Sequence, residues 1–65
     1  MKIMEFFVKN TSIQHVYVSL DDCYAYISRG VDGWSYLMRS LDIYDYDVVT
    51  IDYKTKSAKL RRKDD

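Results

Sequence analysis

The chain has 65 residues, and ten lysines and arginines balance ten aspartates and glutamates, so its formal net charge is zero. Apolar residues make up 48% and charged residues 31%, a composition typical of a folded domain. A single cysteine excludes a disulfide scaffold, and one cysteine with one histidine excludes a Cys/His zinc site. No run of about 18 apolar residues is present, so we expect no membrane-spanning helix.

The size predicts a single domain over residues 1–65, with residues 62–65 as a mobile tail. A domain of about 60 residues buries only about 60% of its unfolded surface, which leaves little room for a water-excluded reaction pocket. The sequence contains no Gly-rich phosphate loop, paired-carboxylate motif or nucleophile elbow. We therefore expect a binding protein that is not an enzyme and uses no metal, cofactor or small-molecule substrate.

We expect no signal peptide at the N-terminus, because Glu5 interrupts the first apolar stretch and no small-residue cleavage site follows. The single Cys23 has no partner in the chain and suits a reducing compartment. These features predict a cytoplasmic protein.

Two strands are predicted first. Residues 2–8 place Met4, Phe6 and Val8 on one face, and residues 13–18 follow after a short polar turn. Strands joined by so short a connection predict an antiparallel hairpin.

A long helix is predicted next, from Leu20 to Leu41. Ser19 is a suitable N-cap, and Asp21 and Asp22 would lie in the first turn, where the helix dipole favours acids. Apolar residues recur at helical spacing at Leu20, Cys23, Ile27, Val31, Trp34, Met38 and Leu41. Two glycines allow the alternative of two short helices that meet near residues 30–33.

Two further strands are predicted at Val48–Tyr53 and Ser57–Arg62, the second as an edge strand with Ala58 and Leu60 inward. The predicted fold is α+β, a small antiparallel sheet of three to four strands in β-β-α-β(-β) order with the long helix on one face. The uncovered face would carry Phe7, His15, Tyr17, Val48 and Thr50, and one hypothesis is that it forms a homodimer.

The acidic-tyrosine segment, residues 42–47, has three aspartates and two tyrosines. One interpretation is a patch that contacts a basic groove through Tyr44, Asp45 and Tyr46. The alternative is a solvated loop whose tyrosines fold back onto the core.

The exposed helix face offers a second candidate contact surface, because Tyr24, Tyr26 and Arg29 are residue types enriched at binding hot spots. Trp34 would either pack on the sheet or serve as a binding anchor.

Residues 54–63 form a basic run without an acid. This pattern is typical of a nucleic-acid footprint, although lysines on an edge strand also discourage aggregation. The zero net charge and the carboxylates elsewhere argue against nucleic acid as the partner.

The run at residues 7–13, the acidic pair Asp21-Asp22 at the start of the predicted helix, and the closing Ile51-Asp52 together resemble the Dmd family of antitoxins from T-even bacteriophages. The resemblance extends to about Tyr53. It implies a β-β-α-β fold and a non-catalytic inhibitor that occupies a groove on a host toxin endoribonuclease of the RnlA or LsoA type.

The resemblance also implies contact residues on the helix, where the family has a tryptophan and an asparagine. These positions fall on Ala25 and Trp34 here, so neither residue type is kept. The predicted protein-binding residues are Tyr24, Ala25, Tyr26, Arg29, Trp34, Tyr44, Asp45 and Tyr46. The predicted partner is a host protein, in the host cytoplasm if the gene is carried by a phage, and the chain itself would be a monomer or weak homodimer.

Overall fold

The computed structural model describes residues 1–21, 23–30 and 39–63. In chain order the elements are the helix α1 and four strands. Their bounds are Ile3–Lys9 for α1, His15–Ser19 for β1, Tyr24–Ser28 for β2, Tyr46–Asp52 for β3 and Ser57–Arg62 for β4. The α+β class and the four-stranded sheet are confirmed.

The sheet is mixed, which corrects the prediction of an antiparallel one. Its strand order is β2-β1-β4-β3. The pairs β1/β2 and β3/β4 are antiparallel, and the central pair β1/β4 is parallel. The C-terminal strand therefore lies in the interior of the sheet, and its basic residues do not form an edge.

One face of the sheet carries the core. The buried residues are Ile3, Phe6, Phe7, Ile13, Val16, Val18, Ile27, Leu41, Tyr46, Ala58 and Leu60. Side chains from α1 and from all four strands thus form a single apolar cluster.

The predicted strand at residues 2–8 is wrong, because this stretch forms α1. The buried side chains Ile3, Phe6 and Phe7 recur at helical spacing, whereas Met4 and Val8 remain exposed. The Met4 amide also donates to Oδ1 of Asp42 (3.2 Å), 38 positions away in the sequence, which caps a free N–H of the first turn.

The predicted helix from Leu20 to Leu41 is wrong in its first part, where β2 forms. Strand β2 alternates, with Ala25 and Ile27 toward the core and its tyrosines outward. Ser19, the predicted N-cap, is the last residue of β1, and the amide of the next residue, Leu20, donates to the Cys23 carbonyl (2.9 Å). Residues 39–41 are helical, and the possible junction at residues 30–33 falls largely outside the described residues.

Strand β4 has the predicted bounds, and Ala58 and Leu60 face the core as expected. Arg62 belongs to this strand and not to a tail. Strand β3 begins two residues earlier than predicted, and its pairing with β4 shifts between Val48 and Thr50, which leaves Val49 exposed. Among the described residues, no helix is long and apolar enough to span a bilayer.

Candidate functional site

The side of the sheet opposite the core presents the most distinctive surface of the described residues. We call it the open face. It comprises His15, Tyr17 and Ser19 from β1, Tyr24, Tyr26 and Ser28 from β2, Asp47, Thr50 and Asp52 from β3, and Ser57, Lys59 and Arg61 from β4. On β1, β2 and β4 these residues alternate with residues that face the core, and on β3 the register shift separates Asp47 from Thr50 by two residues. None of them is buried.

Tyrosines dominate one half of the open face. Tyr17 is 43% exposed, Tyr24 78% and Tyr26 48%. Tyr17 and Tyr26 are direct cross-strand partners, with ring centroids 5.0 Å apart and planes tilted by 42°. The fold therefore leaves large aromatic surfaces in solvent, where a ligand can stack on them.

A hydrogen-bonded cluster holds Tyr26 in place. Its hydroxyl lies 2.7 Å from Nδ1 of His15, and the Ser28 hydroxyl donates to it at 2.6 Å. Nδ1 of His15 also lies 3.0 Å from the Ser28 Oγ. The imidazole and the phenol ring stack at 5.8 Å with planes 17° apart. These contacts restrict the rotamer of Tyr26 and so support the neighbouring ring of Tyr17.

Two cations lie beside the tyrosines on the parallel strand β4. Lys59 is the register partner of Tyr17, and Arg61 is the partner of Ser19. Both are exposed. Neighbouring strands lie about 4.8 Å apart, so the long basic side chains reach the space above the aromatic half.

Acids on the open face are confined to its outer strand, β3. Asp47 is the register partner of Arg61, and Asp52 is the partner of Ser57. Charge on the face is thus divided by strand. Cations adjoin the tyrosines, and carboxylates occupy the far edge.

Two shallow hollows lie on the open face, on either side of Tyr17 and Lys59. The first has a volume of about 560 Å³ and is lined by Tyr17, Ser19, Tyr24, Val49, Lys59, Leu60 and Arg61. The second has a volume of about 460 Å³ and is lined by Tyr17, Thr50, Ile51, Asp52, Tyr53, Ser57, Ala58 and Lys59. Tyr17 and Lys59 line both hollows, which are therefore neighbours.

The predicted contact residues near β2 divide between the two faces. Tyr24 and Tyr26 lie on the open face, on a strand and not on a helix. Ala25 is half-buried against the core. Trp34 lies outside the described residues.

Arg29 has an internal role. Its Nε donates to the Ile13 carbonyl (3.0 Å), and its Nη2 donates to the carbonyls of Phe7 (2.9 Å) and Asn10 (3.0 Å). The guanidinium carbon also lies 4.7 Å from the centroid of the Phe7 ring. Arg29 therefore ties β2 to α1 and the connection that follows it, and its hydrogen-bonding atoms face the protein.

Burial removes Tyr46 from the predicted binding patch. Its side chain is 1% exposed, and its hydroxyl donates to the Leu41 carbonyl at 2.6 Å. Burial, and next the charge of Asp42, raise the pKa of the Tyr46 phenol above its ordinary value. Tyr46 is a core residue, which favours the alternative in which tyrosines of this segment fold inward.

Tyr44 and Asp45 also make contacts within the chain. Tyr44 is half-buried, and the Arg62 guanidinium lies 4.0 Å from its ring centroid. Asp45 is exposed and lies 3.8 Å from Nζ of Lys2 and 4.0 Å from the N-terminal amine. Of the acidic-tyrosine segment, only Asp47 lies on the open face.

The combination of residues that the fold creates was not predicted from the sequence. Tyr17 was predicted on an uncovered face and the C-terminal run as basic, but Tyr24 and Tyr26 were predicted on a helix. The available signal for β2 was a period of two at residues 24–28, since it places alternate residues on one face.

Residues 1–21, 23–30 and 39–63 contain no group of three histidine, cysteine or acidic side chains placed to hold a metal ion. No protein family model, curated protein or solved structure matches the chain.

Proposed function

We propose that this protein is a non-catalytic binding protein whose open face binds single-stranded nucleic acid. The observation that carries the proposal is the placement of Lys59 and Arg61 beside three exposed tyrosines on one solvent-facing side of the sheet. The zero net charge of the chain argues against nucleic acid as a partner, but the local arrangement of cations and tyrosines on the open face favours it.

The tyrosines supply the stacking surfaces. Stacking a base on an aromatic side chain contributes about 1–3 kcal/mol per base, and it requires bases that are not already paired in a duplex. Tyr17 and Tyr24 line the same hollow. The proposal therefore concerns single strands.

Lys59 and Arg61 supply the phosphate contacts. The chain also has ten carboxylates, which would repel phosphate, but several of them interact with other groups of the chain away from Lys59 and Arg61. Asp21 lies 3.5 Å from Nη1 of Arg62, Asp42 caps α1, and Asp45 lies beside Lys2. A nucleic-acid backbone that lies along β1 and β4 avoids the carboxylates of β3.

The test is fluorescence anisotropy of labelled oligo(dT) and oligo(U) with the purified chain at low ionic strength. We expect saturable binding. The logarithm of the affinity should fall with the logarithm of salt concentration with a slope of about −1.4, since each of two phosphate contacts contributes about −0.7 for a single strand.

Two variants and a matched control locate the site. Tyr24→Thr removes a ring but keeps a residue suited to strands, and Lys59→Gln removes one charge. Both should weaken binding, and Lys59→Gln should also make the salt slope shallower by about 0.7. Lys9→Gln makes the same charge change on α1 and should leave affinity nearly unchanged. Absence of binding at low salt, or equal loss in the Lys9 variant, would contradict the proposal.

A second candidate function follows from the resemblance to the Dmd family, which implies inhibition of a host toxin endoribonuclease in the cytoplasm. It is favoured by the exposure of Tyr24 and Tyr26, which flank the family's contact position at Ala25. Growth rescue of cells that express an RnlA-type toxin, lost in Tyr24→Thr, would support this function. Failure to rescue or to co-purify with the toxin would count against it.

A further inference from the structure

The two hollows of the open face differ in charge, although they share Tyr17 and Lys59. The first hollow is also lined by Arg61 and Tyr24. The second is also lined by Asp52 and Tyr53. A phosphate is favoured near Lys59 and Arg61 but is repelled by Asp52, so the second hollow suits an uncharged base.

Asp52 has one carboxylate oxygen committed to the chain itself. Its Oδ1 accepts from the backbone amides of Lys54 (2.9 Å) and Thr55 (3.3 Å), which orders the connection between β3 and β4. The other oxygen, Oδ2, is not used by this turn. It can accept two hydrogen bonds, because a carboxylate oxygen has two lone pairs.

Guanine is the one common base whose Watson–Crick edge presents two adjacent donors, N1–H and the N2 amino group. Adenine and cytosine place a ring acceptor beside their amino group, and thymine and uracil flank N3–H with two carbonyl oxygens. A carboxylate would be repelled by those acceptors, whereas it can accept both donors of guanine.

From this, and resting on the proposed function, we infer that the second hollow is a base-selective subsite for guanine. In this arrangement Oδ2 of Asp52 accepts from the guanine edge, Tyr53 and Tyr17 flank the base, and Lys59 contacts the adjacent phosphate. The first hollow takes the neighbouring base by stacking, without selecting its identity.

The experiment uses five-nucleotide DNA strands with thymidine at every position except the central one, which is guanine, hypoxanthine, adenine, cytosine or thymine. Anisotropy titrations with the full chain should show about tenfold tighter binding for guanine than for thymine. Hypoxanthine keeps N1–H but lacks the N2 amino group, so its affinity should fall between the two.

Asp52→Asn is the deciding variant, because its amide oxygen preserves the turn to Lys54 and Thr55 while an amide nitrogen replaces the second acceptor. The ratio of guanine to thymine affinity should fall to about one. Asp47→Asn is the matched control. It removes the same charge from the same face outside both hollows, and it should raise affinity for all strands alike while keeping the ratio.

Failure of this inference is distinguishable from failure of the proposed function. Binding of all strands with equal affinity would overturn the guanine subsite and leave single-strand binding intact. An equal change in the ratio for both aspartate variants would overturn it also, since it would indicate long-range charge alone. Absence of binding to every strand would overturn both.

Discussion

The two faces of the sheet are built from neighbouring residues of the same strands, but one face is buried in the core and the other is exposed to solvent. Ile27 is 2% exposed and Leu60 1%, whereas the adjacent Tyr26 is 48% exposed and Lys59 lies in solvent. The core face gains its free energy from apolar burial under α1. The open face retains aromatic area that contributes little to that burial and remains available to a ligand.

The comparison predicts unequal stability effects from adjacent positions in β2, and this is the largest expected effect. Ile27→Ala should lower the free energy of unfolding by about 2–5 kcal/mol, because it leaves a cavity in the core. Tyr26→Ala should cost about 1 kcal/mol or less, as expected for loss of an exposed cross-strand pair. Urea denaturation of both variants measures the difference. Equal losses would show that the open face is also part of the core.

Substitution of Arg29 tests how much its hydrogen bonds to three backbone carbonyls at the edge of the core contribute to stability. Arg29→Met should lower the free energy of unfolding by about 2 kcal/mol, because the carbonyls of Phe7, Asn10 and Ile13 lose a charged donor. Arg29→Lys keeps the charge but not the planar fork, and it should recover only part of the loss. Full stability in the methionine variant would contradict the anchoring role.

The buried phenol of Tyr46 makes the stability of the core face depend on pH. Its folded pKa is raised above the ordinary 10.0, so its contribution to stability is present below that pH and is lost as pH rises through the raised value. Tyr46→Phe should cost about 1 kcal/mol at neutral pH, through loss of the hydrogen bond to Leu41. It should also make the alkaline decline of the unfolding free energy less steep. Parallel pH profiles would contradict burial of the phenol.

Local pattern was sufficient for part of the fold. Ser57–Arg62 was predicted with the observed bounds and the observed inward residues, because its period of two has no competing helical pattern. The α+β class and the approximate positions of β1 and β3 followed from the same kind of signal, whereas β2 was not predicted. The interior position of β4 did not follow from it, since the parallel pairing with β1 joins residues about 40 positions apart.

Strand β2 and helix α1 were mispredicted because their sequences fit both the period of a helix and the period of a strand. Ile27 fits both a helical stripe from Leu20 and the strand alternation of β2, and cross-strand pairing with Val16 decides for the strand. At the N-terminus, Phe6 fits both an alternating strand and a helix. Helix α1 is stabilised by burial and by Asp42, a cap that no local pattern reveals.

The candidate site was only partly predictable for the same reason. Tyr24 and Tyr26 were chosen correctly as exposed residues, but their neighbours on the face depend on strand order. Tyr17 meets Lys59 only because β1 and β4 pair. Tyr46 was named as a binding residue, with burial of the segment's tyrosines as the alternative, because the aspartates around it did not decide between the two.

The smallest predicted effect concerns Glu5, on the solvent side of α1. Its hydrogen bond with Lys9, and next that from the Lys2 amide, lower its pKa below 4.5. Its contribution to stability is therefore present above that pH and is lost as pH falls through the lowered value. In thermal melts above and below this pH, Glu5→Gln should show a smaller acid-induced fall in midpoint than the unsubstituted chain. An identical fall would contradict the contact.

The central claim is that the open face binds single-stranded nucleic acid while the core face only stabilises the fold. Its most direct test is an NMR titration of the isotope-labelled chain with a short single-stranded oligonucleotide. The account predicts that chemical shifts change for side chains of the open face, above all Tyr17, Tyr24 and Lys59, and that α1 and Arg29 stay unaffected. Saturable shifts confined to α1 or to the acidic-tyrosine segment, or no shifts at low salt, would contradict it.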